Sequence, residues 1–180
     1  MTLALIVTDM LNTYEHDDAE PLMESVREAL PAMASLIADA RDRDVLTVYV
    51  NDNHDDWTAA RRELVERALG GRAPELIRPI VPPEDVPFVV KARHSVFYET
   101  QLEYLLRQAE IERLVLSGQV TEQCILYSAL DAYVRHFEVV IPRDAVAHIE
   151  PELADAALRM METNMRAKVV TAAECLDAGG

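Results

Sequence analysis

Short runs that are apolar throughout alternate with segments of helical period along almost the whole chain, and nothing else in the sequence constrains the fold as strongly. Residues 3–8 form one such run, ending at Asp9. Residues 21–43 carry Leu22, Val26, Leu30, Met33, Ile37 and Ala40 at helical spacing, with charges between them. Pro31 inside that stretch predicts a kink or a break, because proline lacks an amide donor and crowds the carbonyl one turn back. Residues 45–50 read as a strand, and 57–69 as a helix that stops at Gly70-Gly71. Prolines 74, 79, 82, 83 and 87 make 73–87 an irregular excursion. Beyond it the pattern predicts strands over 88–90, 113–117, 138–142 and 168–171, and helices over 100–109, 122–136 and 151–166. Strands that are continuously apolar and alternate with helices imply a parallel sheet covered on both faces. Right-handed crossovers then give a doubly wound, three-layer α/β/α sandwich of Rossmann-like type, with a mainly parallel six-stranded sheet.

The chain has 180 residues and no repeat or linker that would split it, so 1–180 is expected to be a single domain. Lys and Arg number 17 against 32 Asp and Glu, a formal charge of −15. Such a chain repels phosphate backbones and anionic membrane surfaces, so neither nucleic acid nor membrane is an expected partner. No apolar run reaches the roughly 18 to 20 residues that span a bilayer. The N-terminus is apolar but lacks a basic flank and meets Asp9 at once, so it reads as a buried strand and not a signal peptide. Cys124 and Cys175 lie far apart and form neither a metal-type spacing nor a disulfide framework. Free thiols suit a reducing, cytoplasmic setting.

In folds of this kind ligands bind beyond the carboxyl ends of the strands, and three such ends carry chemistry. Asp9 follows the first run, Lys91 follows Val89-Val90, and Cys124 lies just past residues 114–117, where a helix begins. A thiol at a helix N-terminus feels the positive end of the dipole, which favours the thiolate. A nearby ammonium favours it further, and a carboxylate beside both can take the thiol proton and pass it to a leaving amine. Taken singly, each residue has a plainer reading: a small buried hydrophobe for the cysteine, a turn cap for the aspartate, a solvated charge for the lysine.

The surrounding residues carry a resemblance. Ala4-Leu-Ile-Val-Thr-Asp-Met-Leu-Asn12 resembles the opening strand of the isochorismatase-like cysteine hydrolases, with Leu11 where that family usually has Gln. Val89-Val-Lys-Ala-Arg-His-Ser-Val-Phe97 resembles its Lys-x-x-x-Ser-x-Phe segment. Leu114-Val-Leu-Ser-Gly-Gln-Val-Thr-Glu-Gln-Cys124 resembles its Gly-Val-x-Thr-x-x-Cys elbow, with Gln119 in place of Val. Ser128-Ala-Leu-Asp-Ala132 and Val139-Val-Ile-Pro-Arg-Asp-Ala145 continue the likeness in family order over nearly the whole chain.

The resemblance implies that Cys124 is the nucleophile, Asp9 the acid/base and Lys91 the third catalytic member. It implies a cis peptide at Gln119–Val120 and an oxyanion hole made by the backbone N–H groups of Val120 and Cys124. Relatives of this type include nicotinamidases and N-carbamoylsarcosine amidases, and they are commonly dimers or tetramers. A homodimer or homotetramer acting on a small molecule is therefore the expectation.

Nicotinamidases hold a divalent metal through an Asp-x-His pair and a further His. Asp52 and His54 match the pair, but Trp57 stands where the further His is sought, and no His occurs between His54 and His94. A closed site wants three or more protein ligands, so no cofactor is the favoured expectation, with a zinc-type ion at Asp52 and His54 as the alternative. Tyr14, Asp52, His54, Trp57, His94 and Phe97 are candidates for the substrate pocket, and Tyr98 is a further aromatic near it. His136, His148 and Cys175 read as structural. The expected activity is hydrolysis of a small-molecule amide or related C–N bond outside peptides, through a thioester. A vinyl ether hydrolase of isochorismatase type and a non-enzymatic binding or thiol-sensor protein on the same fold are the alternatives.

Overall fold

The computed structural model describes residues 2–178. Among the described residues there are seven strands: β1 (Leu3–Thr8), β2 (Leu46–Asp52), β3 (Phe88–Lys91), β4 (Arg113–Gln119), β5 (Glu138–Pro142), β6 (Val146–Ala147) and β7 (Lys168–Val170). They form one sheet in the order β3-β2-β1-β4-β5-β7, with β6 paired to β4, and every pairing is parallel. The helices are α1 (Ala19–Asp42), α2 (Arg61–Gly70), α3 (Pro74–Ile77), α4 (Leu102–Gln108), α5 (Leu126–Val134), α6 (Pro151–Met165) and α7 (Ala172–Cys175). No helix among the described residues is long and apolar enough to cross a membrane.

Two cores result, because alternate strand residues point to opposite faces. Leu5, Val7, Tyr49 and Val115 pack with α1, α2, α3 and α7 on one face. Ala4, Ile6, Val48, Val50, Leu114 and Leu116 pack with α4, α5 and α6 on the other. The chain runs outward from β1 to β3, then returns to lay β4, β5 and β7 on the opposite side of β1. The carboxyl ends of β1 and β4 therefore flank the topological switch point, where such sheets open a crevice. Here Thr8 lies opposite Gly118. A Cβ on Gly118, at φ +116°, would fall 2.1 Å from the Thr8 carbonyl oxygen, so only glycine lets the strands meet.

Several expectations are corrected. Of the kink or break expected at Pro31, the break does not occur: α1 is continuous from Ala19 to Asp42. The exposed position of Pro31 lets water satisfy the Arg27 carbonyl that has lost its helical donor. The helix expected from 57 starts only at Arg61. The proline-rich stretch contains the short helix α3, which Pro74 opens, followed by a 3₁₀ turn over Arg78–Ile80. The segment after β4 begins as a widened π-type turn, Thr121–Ile125, before α5. The pattern also passed over β6 and α7, each too short to show a period.

Candidate active site

Four strand ends converge at the switch point. Asp9 follows β1, Asp52 ends β2, Lys91 ends β3, and Cys124 lies in the turn after β4. Lys91 Nζ is the centre of the group: it lies 2.8 Å from Asp9 Oδ2, 3.6 Å from Asp52 Oδ2 and 3.7 Å from Cys124 Sγ. Only 2% of Lys91 is exposed. Burial works against its charge, but Asp9, the Cys124 sulfur and Asp52 outweigh that cost and hold its pKa above the usual lysine value.

Asp9 adopts the left-handed region, φ 56°, which is uncommon outside glycine and costs on the order of 1 kcal/mol. Hydrogen bonds hold it there. Its N–H donates to the Val50 carbonyl at 2.9 Å, Gln119 Nε2 donates to its carbonyl at 2.7 Å, and the Asp52 N–H donates to its Oδ1 at 2.8 Å. Gln119 is held in turn by the Tyr14 hydroxyl, which donates to Oε1 at 3.3 Å. The Gln119–Val120 peptide is cis.

Cys124 is 9% exposed. Burial pushes its thiol well above the usual range, and the Asp9 charge adds to this. Lys91 and a backbone hydrogen bond from Val120 act the other way without reversing it. The helix N-terminus was expected to favour the thiolate; burial and the neighbouring carboxylate push the thiol the other way. The side-chain hydrogen bond that reaches the sulfur comes from Lys91 Nζ, 3.7 Å away. On the far side of the sulfur, His94 Nδ1 lies 3.8 Å away.

Lys91 is also part of the wall of a cavity of about 480 Å³, lined besides by Asn53, Asp56, Trp57, Ala92, Tyr98 and Glu99. Trp57 and Tyr98 are 80% and 55% exposed, so the cavity has an open aromatic rim. A separate apolar cavity of about 380 Å³, between Ile37, Val45 and Val86 at the amino-terminal edge of the sheet, contains none of these groups.

Of the residues expected around the pocket, Asp52, Trp57 and His94 lie beside the cluster or the cavity. Tyr14 does not: it is fully buried, its hydroxyl is spent on Gln119, and burial pushes its pKa up to about 12. Phe97 is core as well, stacked on Phe137 with centroids 6.0 Å apart. His54 turns away, its Nε2 lying 2.9 Å from the Leu11 carbonyl oxygen in a neighbouring hollow. That leaves Asp52 and His54 joined only through the His54 N–H, which donates to Asp52 Oδ1. Their side chains do not form a shared donor set, and no cluster of three His, Cys, Asp or Glu able to hold a metal exists among the described residues. The residues present do not fit the zinc-type ion that was the alternative expectation. Asn53, Ala92 and Glu99 were missed as lining residues, as was the support Gln119 gives Asp9. The departure from Val at 119 was the one available signal. His148 is structural: its Nδ1 meets Ser25 Oγ at 3.0 Å.

A doubly wound α/β sheet with a buried carboxylate, ammonium and thiol meeting at its switch point defines an enzyme-like class of α/β protein. Residues 3–174 match the isochorismatase domain model, and the chain belongs to the isochorismatase family of hydrolases. It is 31% identical over 174 residues to YaaI of Bacillus subtilis, an uncharacterized isochorismatase family protein, covering 97% of this chain and 96% of that one. The crystal structure of the nicotinamidase PncA from Bacillus subtilis superposes with a TM-score of 0.76 at 30% identity, covering 94% of this chain and 99% of that one. That of N-carbamoylsarcosine amidase from Thermoplasma acidophilum gives 0.74 at 27%, covering 96% and 97%. The pyrazinamidase of Pyrococcus horikoshii, solved in complex with zinc, gives 0.75 at 29%, covering 95% and 99%.

Proposed function

We propose that this chain hydrolyses the C–N bond of a small amide through a thioester on Cys124. The observation that carries the reading is the contact set of one buried ammonium: Lys91 holds Asp9 at 2.8 Å and the Cys124 sulfur at 3.7 Å. The similarity to a nicotinamidase and an N-carbamoylsarcosine amidase supports the amide class. Asp9 takes the proton from the thiol, and the sulfur attacks the carbonyl carbon as that proton leaves. Backbone N–H groups of Val120 and Cys124 receive the developing oxyanion. The tetrahedral species collapses, the C–N bond breaks, and Asp9 returns the proton to the departing amine. Lys91 balances the charge that moves between carboxylate and sulfur. Water then hydrolyses the thioester.

No step runs through a metal, since Asp52 and His54 do not offer a shared donor set. The exposed aromatic rim at Trp57 and Tyr98 suits a pocket closed by a second copy of the chain, in keeping with a homodimer or homotetramer. A panel of small amides, nicotinamide among them, tests the reading when assayed with and without a chelator on the wild type and on Cys124→Ala. Turnover that survives the chelator and vanishes in the variant is the expected result. Amide turnover that survives in Cys124→Ala sinks the thioester; cleavage of a vinyl ether substrate that survives in Cys124→Ala but not in Asp9→Asn favours hydrolysis by the acid alone.

A further inference from the structure

The cavity beside the catalytic cluster has two chemically different ends. The buried Lys91 belongs to its inner wall, and the exposed Trp57, Tyr98 and Glu99 make its rim. A substrate whose carbonyl meets Cys124 beside Lys91 extends its other end along this wall toward the rim. Both rings there are open to a ligand.

The charges of the wall favour one sign. Lys91 is already committed, since its one ammonium stands against two carboxylates, Asp9 at 2.8 Å and Asp52 at 3.6 Å. Asp56 is ion-paired with Arg67, which is not part of this wall but lines a neighbouring hollow. The hydrogen bond from Arg67 holds the Asp56 carboxyl well below the usual carboxylate range, so it stays ionised. Glu99 makes no ion pair or hydrogen bond among the described residues. Arg93, the next cation along the chain, is exposed and is not part of the wall. A carboxylate at the far end of a substrate thus meets acid, with no uncommitted cation in the wall to hold it. An ammonium meets a carboxylate and two aromatic faces, which attract a cation through charge and through the ring quadrupole. The formal charge of −15 on the chain adds to the same bias.

Resting on the amide reading above, we propose that the substrate is a small amide whose non-reacting end is cationic, with Glu99 as its counter-charge and Trp57 and Tyr98 as its aromatic walls. Selection is then made at the rim, while the reacting end is left to Asp9, Lys91 and Cys124.

Three ring carboxamides of similar size separate charge from shape: 1-methylnicotinamide is a cation, 3-methylbenzamide its neutral counterpart and 3-carbamoylbenzoate an anion. Binding is measured by titration calorimetry on Cys124→Ala, so the differing reactivity of the three carbonyls does not enter. We expect 1-methylnicotinamide to bind about tenfold more tightly than 3-methylbenzamide, and 3-carbamoylbenzoate to bind most weakly. Adding Glu99→Gln should remove most of that preference while 3-methylbenzamide stays within about twofold, which also shows that the variant is folded. Adding Trp57→Ala instead should weaken the cation by about threefold or more. Equal binding of cation and neutral amide, or tighter binding of the anion, overturns the proposal. A preference that survives both Glu99→Gln and Trp57→Ala overturns it too, because the cation would then sit elsewhere, as does the absence of detectable binding by all three. The wild type is assayed for hydrolysis of the same amides. If the cation preference holds in binding and none of them is hydrolysed, the amide reading fails and the cationic subsite stands; if they are hydrolysed without the preference, the reverse holds.

Discussion

Cys124 and Cys175 look alike by local measures. Each lies just beyond a strand in the first turns of a helical segment, and each is buried, at 9% and 0% exposure. Burial is the largest influence on both thiols and raises both, Cys175 to about 12 and Cys124 further. The difference lies in what faces the sulfur. Cys175 donates to the Ala172 carbonyl of its own short helix at 3.1 Å, with Asp144 as the charge that acts on it most. Cys124 faces a carboxylate, an ammonium and an imidazole delivered by β1, β3 and the segment after β3. Burial suppresses a thiolate in both places, so reactivity here depends on a proton acceptor and a balancing cation held within reach.

The largest test of that contrast is removal of each sulfur. Cys124→Ala is expected to lower amide turnover by about 10⁴-fold or more while the thermal transition is retained, as measured by steady-state kinetics beside calorimetry. Asp9→Asn follows, with a loss of about 10³-fold in kcat for want of the base. Lys91→Met breaks the contrast structurally. It leaves Asp9 and the partly exposed Asp52 without their cation, and urea unfolding is expected to show a loss of about 3 to 5 kcal/mol along with activity.

Alkylation sharpens the comparison further. Iodoacetamide is expected to label native Cys124 slowly at neutral pH and faster as pH rises, with a midpoint above the ordinary thiol value of about 8.5. Asp9→Asn should lower that midpoint, because the carboxylate raises it, and removing the Lys91 charge should raise it. Cys175, with no exposed surface, should label only on unfolding; equal labelling of both thiols in the native protein defeats the distinction. The smallest effect belongs to Cys175→Ala. Turnover should stay within about twofold, and the lost packing and hydrogen bond should cost about 1 to 2 kcal/mol in urea unfolding.

Periodicity and composition determined a good deal. Apolar runs alternating with amphipathic segments are enough to require a parallel sheet covered on both faces, because such strands can bury both sides only in that way. Strand β5 lies where the pattern placed it, at 138–142. Asp9, Lys91 and Cys124 were legible as strand-end residues, since the carboxyl edge of such a sheet is where polar side chains meet ligands. What no local pattern contains is direction. Tyr14 and Phe97 stand near the site in sequence yet turn into the core, His54 turns to the Leu11 carbonyl, and Asp52 turns to Lys91. Each orientation is chosen by partners more than 30 residues away. Tertiary packing alone decided that one buried lysine would touch two acids and a thiol, and that an exposed histidine would face the same sulfur from the solvent side. Burial and charge act through distance in space, and the sequence orders these groups only along the chain.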